Sequence, residues 1–408
     1  MNIVISGIGV ISSIGIGKEN FFGAIKEGRC GINDITFFDT SNLKTKKAAI
    51  VNNFRPEEIL GQKGLRTLDR ATKLLLSAGK LALVDAKLEE ANIEPTEIGI
   101  SIGTTVGSIW SITEFDKVSL KDGPHFVNPA EFPNTVINSP PSQLAIRFGI
   151  KGPCSTISSG FTASTDAIKY AMDLIKNGHA KIVLAGGVEE FCQQIYLAFY
   201  KAKFLAGIKG EEICCPFDAR RNGIIFGEGS AVLVLEKEET AIKRNARIYG
   251  YLRGYGTFFS PYSVSKYHPS GYGLKEAIKE AIKNAGLEIY DIDYICAASN
   301  STKEADLIET KIIKEIFGDK ARKIPISSIK SMIGETFSAA GAFSNVAALC
   351  TINNNFIPPT IGYKIKDPDC DLDYVPNRAR ECNIKNVLVN TFSPAGNNSC
   401  IVISKNSF

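Results

Sequence analysis

The segment GPCSTISSGFTASTDAIKYAMDLIKNG, residues 152–178, predicts a tight turn of small residues that leads into an amphipathic helix. A thiolate at the start of a helix is stabilised, because the helix dipole and the free backbone amides lower its pKa. The most crowded position of this turn carries Phe161 instead of a reactive side chain. Ser158 and Ser159 offer hydroxyl groups, but neither has a histidine to activate it. We therefore expect no nucleophilic catalysis from this turn.

A second candidate group lies in the segment KSMIGE. Glu335 could act as an acid or a base if burial raises the pKa of its carboxyl group. It could also form an ion pair with Lys330, and because no nucleophile accompanies it we favour the ion pair. The histidines of the chain, His125, His179 and His268, fall in loop-like segments, and we interpret them as solvated or hydrogen-bonded side chains.

Composition narrows the class of protein. The chain has 408 residues, of which 44% are hydrophobic, so it can bury a large core. Its 47 basic and 43 acidic side chains are scattered and give a net charge of +4, which favours no nucleic-acid partner. The ten cysteines show no CxxC spacing and are interpreted as buried, reduced thiols. We predict no metal site and no cofactor.

The sequence also predicts a cytoplasmic protein. The first residues, MNIVISGIGVISSIGIG, are apolar but lack a basic stretch and are interrupted by glycines, which is typical of a strand and turn and not of a signal peptide. No apolar run approaches the roughly 20 residues that a membrane span needs.

Strand-length apolar runs alternate with helical patterns along the chain, which predicts an α/β fold. The order of these elements occurs twice. A strand that ends in a turn, a short strand followed by a buried helix and two closing strands appear before residue 246 and again after residue 247. We expect residues 1–246 and 247–408 to be duplicated halves that pack helix to helix in a single five-layered αβαβα body.

The motifs on this plan resemble those of the β-ketoacyl-acyl-carrier-protein synthases of the thiolase superfamily. The resemblance covers essentially the whole chain and lies in GP before the turn and helix, PFDARRNGIIFGEGSAVLVLE, KSMIG followed by AAGA, and NTFSPAGNNS. It implies a thiolase-like fold. In that family a cysteine holds the acyl chain, and two histidines stabilise the enolate that forms when carbon dioxide leaves.

Residue-by-residue matching places other side chains at all three catalytic positions. The family turn Gly-Pro, five residues, Thr-Ala-Cys matches a segment that ends in Phe161, so phenylalanine stands in place of the nucleophile. The motif Asn-Ala-His-Gly-Thr-Ser-Thr-Pro matches CAASNSTK, with Ala298 in place of its histidine. The motif Lys-Ser-Met-Thr-Gly-His matches KSMIGE, with Glu335 in place of the second histidine. The resemblance therefore implies that the condensing residues are absent.

What remains of the family's pocket would be formed by Lys330, Glu335, Ser159 and Phe392, and we expect the Phe161 ring to pack in the interior and to block the acyl pocket. The glycine-rich gate of the family corresponds here to Ser-Pro-Ala-Gly at residues 393–396.

This profile resembles the chain-length factors, which keep the fold, lack the cysteine and form heterodimers with active ketosynthases. The implied partners are an active ketosynthase or a second copy of the chain, and an acyl carrier protein, without nucleic acid or membrane. Two alternatives stay open: an acyltransferase or hydrolase with different chemistry on the same scaffold, and a homodimer that only binds acyl chains or carrier protein. A cationic helix face formed by Lys63, Arg66, Arg70 and Lys73 is a candidate docking surface for an acidic carrier protein.

Overall fold

The computed structural model describes residues 2–406 of the chain. The strands are β1 (Ile3–Ser12), β2 (Gly15–Ile16), β3 (Asn33–Asp34), β4 (Lys47–Ala49), β5 (Ile98–Gly103), β6 (Cys154–Ile157), β7 (Ile182–Glu189), β8 (Phe226–Gly227), β9 (Gly229–Lys237), β10 (Gly250–Phe259), β11 (Tyr294–Cys296), β12 (Ile326–Ser327), β13 (Phe356–Ile357), β14 (Arg380–Glu381), β15 (Asn386–Phe392) and β16 (Asn397–Ser404).

The α-helices are α1 (Lys18–Glu27), α2 (Pro56–Leu60), α3 (Arg70–Asp85), α4 (Ile109–Asp122), α5 (Ser139–Phe148), α6 (Ala163–Lys176), α7 (Gln193–Lys201), α8 (Glu238–Lys243), α9 (Tyr272–Asn284), α10 (Lys303–Phe317), α11 (Lys330–Ile333) and α12 (Ala340–Asn354). Two short 3₁₀ turns, Gly160–Thr162 and Phe337–Ala339, precede α6 and α12. Helix α6 lies within residues 152–178, where the sequence predicts an amphipathic helix.

The large sheet has the strand order β12-β11-β15-β16-β10-β1-β9-β7-β5-β6. Read outward from its middle, the β1 side runs β1-β9-β7-β5-β6 and the β10 side runs β10-β16-β15-β11-β12, which is the same order within each half. The directions match too, because β5 is parallel to β6 and β7, as β11 is parallel to β12 and β15. The predicted duplication is confirmed in the topology, while the division of the chain at residues 246 and 247 stays a prediction.

The two halves meet where β1 pairs antiparallel with β10, with Ile3 opposite Leu252 and Ile5 opposite Gly250. Helices α6 and α12 lie between the two halves of the sheet, α3 covers β1 and β9 on one outer face, and α9 covers β10 and β16 on the other. This arrangement gives the five predicted layers, with one core cluster in the middle and one under each outer helix layer.

Helix α12 shows why the central layer forms. Every residue from Ala340 to Ile352 is buried, so this helix has no solvent face, which is typical of a helix enclosed on all sides. Its small residues allow close contact with α6. A Cβ atom on Gly341 would lie only 2.0 Å from Thr165 Oγ1, so any larger residue would force the two helices apart. This contact fixes the first turns of α6 and α12, which carry the candidate site.

Candidate functional site

The turn before α6 places Phe161 at the start of the helix, as the sequence predicts. Gly160 has φ +68°, a conformation that glycine adopts without strain, and the chain then enters the 3₁₀ turn that continues into α6. The Phe161 side chain points into the protein and is only 8% exposed. Its ring meets the ring of Phe337 edge to face, with centroids 5.0 Å apart and planes at 77°. The position of the family's nucleophile is therefore filled by an aromatic contact.

Phe337 extends this contact into a larger aromatic cluster. Its centroid lies 4.5 Å from that of Phe226 and 4.7 Å from that of Phe199, and Phe226 in turn contacts Phe191 at 5.3 Å. Tilted and edge-to-face pairs at these distances are favourable beyond their apolar burial. The rings pack in a common apolar cluster with β4, β8 and α7. The aromatic side chains of the protein itself therefore fill the space beside the start of α6.

Lys330 and Glu335 form a buried ion pair, with 2.8 Å between Nζ and Oε2. The Lys330 ammonium also donates to the carbonyl oxygen of Ala298 at 2.8 Å. Lysine and glutamate are both buried, and a buried charge requires a partner of opposite sign. The favoured interpretation of Lys330 and Glu335 as an ion pair is confirmed. Because Lys330 also contacts Ala298, it connects the two positions that match the histidines of the family motifs, Ala298 and Glu335.

Both carboxylate oxygens of Glu335 have further donors. Asn300 Nδ2 donates to Oε2 at 2.9 Å, and the backbone N–H of Phe337 donates to Oε1 at 3.0 Å. Because Phe337 also packs on Phe161, a single chain of contacts connects Phe161, Glu335 and Ala298. The structure therefore brings the three replaced positions together in one buried site, in which the carboxylate is held by three donors.

The Ser159 hydroxyl donates to Asp166, which also accepts hydrogen bonds from Thr162 at 2.8 Å and from the Ser399 hydroxyl. Ser158 is exposed and donates to the carbonyl oxygen of Thr105 at 3.0 Å. Each serine hydroxyl therefore donates its hydrogen bond to an oxygen atom and not to a histidine ring that could activate it.

The three histidines lie elsewhere. His125 and His179 are exposed, whereas His268 pairs with Ser270 at 2.8 Å and contacts the ring of Tyr262. The interpretation of the histidines as solvated or hydrogen-bonded side chains is confirmed.

Phe392 lies at the end of β15, directly before the segment that replaces the family's gate. Its ring meets that of Tyr267 at 5.3 Å. Burial, together with the charge of Glu335, raises the pKa of Tyr267. Tyr267 is only 7% exposed, so a second aromatic pair is buried beside the segment that replaces the gate.

Two buried acids support the loops around the site. Asp306 accepts the backbone N–H groups of Asn300 at 3.0 Å and Phe217 at 2.7 Å, and burial raises its pKa to about 7. Glu309 accepts the backbone N–H groups of Ala298 at 3.0 Å and Ser299 at 2.7 Å. These carboxylates hold the segment that carries Ala298.

Sequence reasoning missed three residues of this site. Asn300 and Phe337 each lie two positions after a replaced histidine, so the motifs could have drawn attention to them. Tyr267 lies in a segment without any recognisable pattern, and only the folded chain places it beside Phe392. Together these residues show that side chains of the protein itself fill the site.

Above Tyr267 the surface forms a groove of about 770 Å³. Tyr267 and Thr302 contribute to its wall, and four exposed lysines surround it: Lys203, Lys209, Lys266 and Lys303. None of these lysines forms an ion pair within 4 Å in the part of the chain that the structure describes, and Glu304 is the one acid among the lining residues. We call this feature the lysine groove.

The prediction of a cationic helix face is wrong. Lys63 and Arg66 lie in turns before α3, and only Arg70 and Lys73 belong to the helix. Gly61 and Gly64 have φ near +75°, which prevents a continuous helix through this segment.

Arg70 is also not free to bind a partner. Its Nε donates to Glu228 Oε2 at 2.9 Å, and its Nη2 donates to Oε1 of the same carboxylate. Of the four cations, Lys63 and Arg66 are the exposed pair.

Among residues 2–406, no helix combines the length and the apolar character needed to cross a lipid bilayer. The same residues contain no cluster of histidine, cysteine, aspartate or glutamate with the geometry of a metal site.

The duplicated five-layered fold, with a closed turn at the start of its first central helix, defines a thiolase-like protein. The family model described as "Beta-ketoacyl synthase, N-terminal domain" matches residues 1–241, and the model for the C-terminal domain matches residues 249–364. The chain belongs to the β-ketoacyl synthase family.

Relatives match the chain over nearly its full length. The 3-oxoacyl-[acyl-carrier-protein] synthase 2 of Coxiella burnetii is 33% identical and covers 99% of this chain and 98% of its own. The corresponding synthase of Synechocystis is 34% identical with the same coverage of both chains. Among solved structures, the ishigamide ketosynthase/chain length factor is 32% identical, with a TM-score of 0.93 over 100% of this chain and 99% of that one.

Proposed function

We propose that this chain is a non-condensing, chain-length-factor-like subunit that pairs with an active ketosynthase in fatty acid, polyketide or polyene biosynthesis. The observation that carries the proposal is the Phe161 ring at the start of α6, buried against Phe337. An acyl chain attached to a thiolate at this place would need both the sulfur and the space that the two rings occupy.

The remaining chemistry of condensation is missing as well. Decarboxylation of a malonyl thioester needs neutral hydrogen-bond donors where the enolate charge develops. At the two matching positions the chain has the methyl group of Ala298 and the carboxylate of Glu335, and a carboxylate would repel an enolate. Lys330 is engaged by Glu335 and by the carbonyl oxygen of Ala298. The chain alone is therefore expected not to condense acyl units.

The similarity to the ishigamide ketosynthase/chain length factor supports a role in a mixed assembly, since the name of that structure combines a ketosynthase with a chain length factor. The similarity to the 3-oxoacyl-[acyl-carrier-protein] synthases supports a common origin for the fold of this chain and the fold of those synthases. A companion subunit needs a rigid body of ketosynthase shape more than it needs catalytic residues. The well-packed aromatic cluster and the buried ion pair are consistent with that requirement.

The lysine groove supports a second part of the proposal, the binding of an acyl carrier protein. Four exposed lysines, which have no ion-pair partner among residues 2–406, form a positive surface that attracts a partner rich in acidic residues and accelerates its association. One solved structural neighbour is an acyl-carrier protein in complex with its ketosynthase, 29% identical with a TM-score of 0.90. The groove also favours the alternative of a homodimer that binds carrier protein without a ketosynthase partner.

The alternative of a different enzyme on this scaffold has less support. Glu335 is held by three donors, and Ser159 donates to Asp166. A carboxylate in these contacts cannot approach a substrate unless Lys330, Asn300 and the Phe337 amide are left without their acceptor, which is costly in a buried site.

The test is co-expression of this chain with intact ketosynthases from the same genome, followed by native mass spectrometry and an assay with malonyl-loaded carrier protein. We expect a 1:1 mixed dimer that forms product, and a chain that alone releases no carbon dioxide and acquires no acyl adduct. A matched pair of variants tests which of the two subunits carries out the catalysis. Replacing the partner's cysteine should abolish the product, whereas replacing Ser159 of this chain with alanine should leave it unchanged.

Two outcomes would contradict the proposal. Turnover of an acyl thioester by the chain alone would support the enzyme alternative. A homodimer that binds loaded carrier protein, shows no turnover and exchanges with no ketosynthase would support the binding alternative.

A further inference from the structure

Exposed apolar side chains are concentrated in the loop that joins β10 to α9. Tyr262 is 58% exposed and Val264 is 89% exposed, and Phe259 and Tyr272 at the two ends of the loop are also more than half exposed. Single exposed apolar side chains are ordinary on a protein surface, whereas a group of them marks a surface that contacts another molecule. We call residues 259–272 the apolar loop.

The apolar loop borders the lysine groove. Ser265 and Lys266 line that groove, so Val264 directly precedes its wall in the chain. Phe204 lies in the wall as well, and its ring meets that of Phe199 edge to face at 5.9 Å. The groove thus offers a partner both cationic side chains and apolar surface, which is typical of a protein interface with a charged rim.

The tip of the apolar loop is a defined turn. Ser263 and Lys266 pair as an antiparallel bridge, and the backbone N–H of Ser265 donates to the Ser263 hydroxyl at 3.4 Å. Tyr267, which follows directly, is buried. The turn therefore holds the side chain of Val264 in solvent while the next residues are fixed to the body of the protein.

The Tyr262 ring is exposed and yet held in position. It meets the ring of His268 with centroids 5.3 Å apart and planes at 63°. The His268 ring is fixed in turn by Ser270, whose hydroxyl lies 2.8 Å from Nδ1 and whose backbone N–H donates to the same nitrogen at 3.3 Å. An aromatic side chain that is already positioned loses little conformational entropy when a partner binds, so it is suited to anchor an interface.

The lysines of the groove would by themselves give a contact that forms quickly and breaks quickly. Salt screens exposed charges over about 10 Å at 0.1 M ionic strength, and charge complementarity mainly accelerates association. Slow dissociation depends on apolar side chains that lose their water at the centre of an interface. Tyr262 and Val264 can supply such a contact beside the groove.

We propose that Tyr262 and Val264 anchor the bound acyl carrier protein by packing on apolar side chains that lie among its acidic residues. This inference rests on the proposed binding of a carrier protein at the lysine groove. The lysines then determine how fast the partner associates, and the two loop residues determine how long it stays bound. The phenol of Tyr262 can also donate a hydrogen bond to a carboxylate at the edge of this contact.

The experiment measures binding of the apo carrier protein from the same genome to the immobilised full chain by surface plasmon resonance. The apo form carries no acyl group, so the two protein surfaces determine the result. Tyr262→Ser/Val264→Ser should raise the Kd about tenfold through faster dissociation, with the association rate within about twofold of the unchanged chain. Because this contact is apolar, the same ratio is expected at low and at high salt. Lys266→Glu/Lys303→Glu should instead slow association, and mainly at low salt.

Two control variants accompany the serine variant. Tyr290→Ser/Ile242→Ser also removes one tyrosine and one aliphatic side chain, at positions that are 72% and 63% exposed and do not line the groove. Tyr262→Phe/Val264→Leu keeps the apolar surface of the loop. Both controls should bind with a Kd within about twofold of that of the unchanged chain, because neither removes apolar contact area at the groove.

A crosslinking measurement covers the case in which urea unfolding shows that the serine variant is not folded. Val264→p-benzoylphenylalanine should crosslink to the carrier protein under ultraviolet light, whereas Ile242→p-benzoylphenylalanine should not. Equal crosslinking from the two positions would overturn the inference.

The binding data separate this inference from the proposal on which it rests. A serine variant that binds as tightly as the unchanged chain, or whose loss of affinity disappears at high salt, would overturn the anchoring role and leave docking at the lysine groove intact. An unchanged chain that binds no carrier protein would overturn both, and this result is visible before any variant is compared.

Discussion

Phe161 and Phe337 meet edge to face, with 5.0 Å between ring centroids, at the place where α6 and α12 begin. Each ring belongs to the short 3₁₀ turn that leads into its helix, and the contact joins the first half of the chain to the second. The backbone N–H of Phe337 also donates to Glu335, so ring packing and the buried ion pair belong to one network.

Replacing Phe161 with cysteine restores a thiol at the start of α6 and is expected to destabilise the protein without restoring condensation. Loss of the buried ring should lower the free energy of unfolding by about 3 kcal/mol. No imidazole is available to stabilise an enolate, so release of carbon dioxide from malonyl thioester should stay at background. Urea unfolding and the decarboxylation assay measure the two effects.

The control for that variant is Phe259→Cys, because Phe259 is 60% exposed. It should change the unfolding free energy by less than about 0.5 kcal/mol. A Phe161→Cys protein as stable as the unchanged chain would mean that the ring contributes no packing energy.

The Lys330–Glu335 pair is expected to show strong energetic coupling. Lys330→Met leaves the Glu335 charge buried without its cation, which should cost about 3 kcal/mol or more. In the double variant Lys330→Met/Glu335→Gln both charges are gone, so it should be more stable than the sum of the two single effects predicts. Urea unfolding of the four proteins gives the coupling energy.

The Lys275–Glu315 pair on the surface is the matched control for this cycle, since both side chains are partly exposed. Its coupling energy should be much smaller than that of the buried pair, because solvent screens exposed charges. Equal coupling for the two pairs would show that burial adds nothing to the interaction in the site.

Stability is expected to fall as the pH rises towards 8, and Glu189 is one cause. Burial raises the pKa of Glu189 from 4.5 to about 7 in the folded protein. The folded state therefore retains a proton that the unfolded state has lost. The resulting stabilisation is present below pH 4.5, declines as the pH rises through 7, and amounts to about 3 kcal/mol.

Glu189→Gln removes this titration, so the variant should gain stability relative to the unchanged chain as the pH rises from 5 to 8. Urea unfolding across this range measures the difference. Asp306 and Glu190 titrate in the same direction and are present in both proteins, so their contributions cancel in the comparison. If the free energies of unfolding of the two proteins changed in parallel with pH, the pKa of the Glu189 carboxyl would not be raised by folding.

Carrier-protein binding is expected to depend on the lysine groove. The double variant Lys266→Glu/Lys303→Glu reverses two charges at its rim and should weaken binding of an acidic carrier protein at least tenfold at low salt. The smaller effect expected at high salt identifies the interaction as electrostatic. Surface plasmon resonance with immobilised carrier protein measures both conditions.

Lys63→Glu/Arg66→Glu is the comparison variant, because it reverses two exposed charges in the turns before α3. Affinity should change less than twofold. The opposite ranking of the two variants would place docking at the cations that the sequence originally suggested.

The sequence by itself predicted the fold and the side chains at the three positions that match the catalytic residues of the family motifs. Alternating apolar runs and helical periods are local properties, and their repetition predicts two equivalent halves of the sheet. Phe161, Ala298 and Glu335 could be placed because each lies inside a short motif whose neighbours are kept. The pairing of Glu335 with Lys330 was also within reach, since the two are only five residues apart.

The tertiary structure alone decided what fills the site and which charges are free. Phe161 and Phe337 meet only because the two halves pack around α6 and α12, and Tyr267 and Phe392 are also far apart in the sequence although both belong to the second half. The four cations near α3 followed a helical spacing, yet glycines with positive φ turn the chain before the helix begins, and Glu228 from a distant strand segment neutralises Arg70. Contacts between residues distant in the chain depend on the packing of whole layers, which no local pattern records.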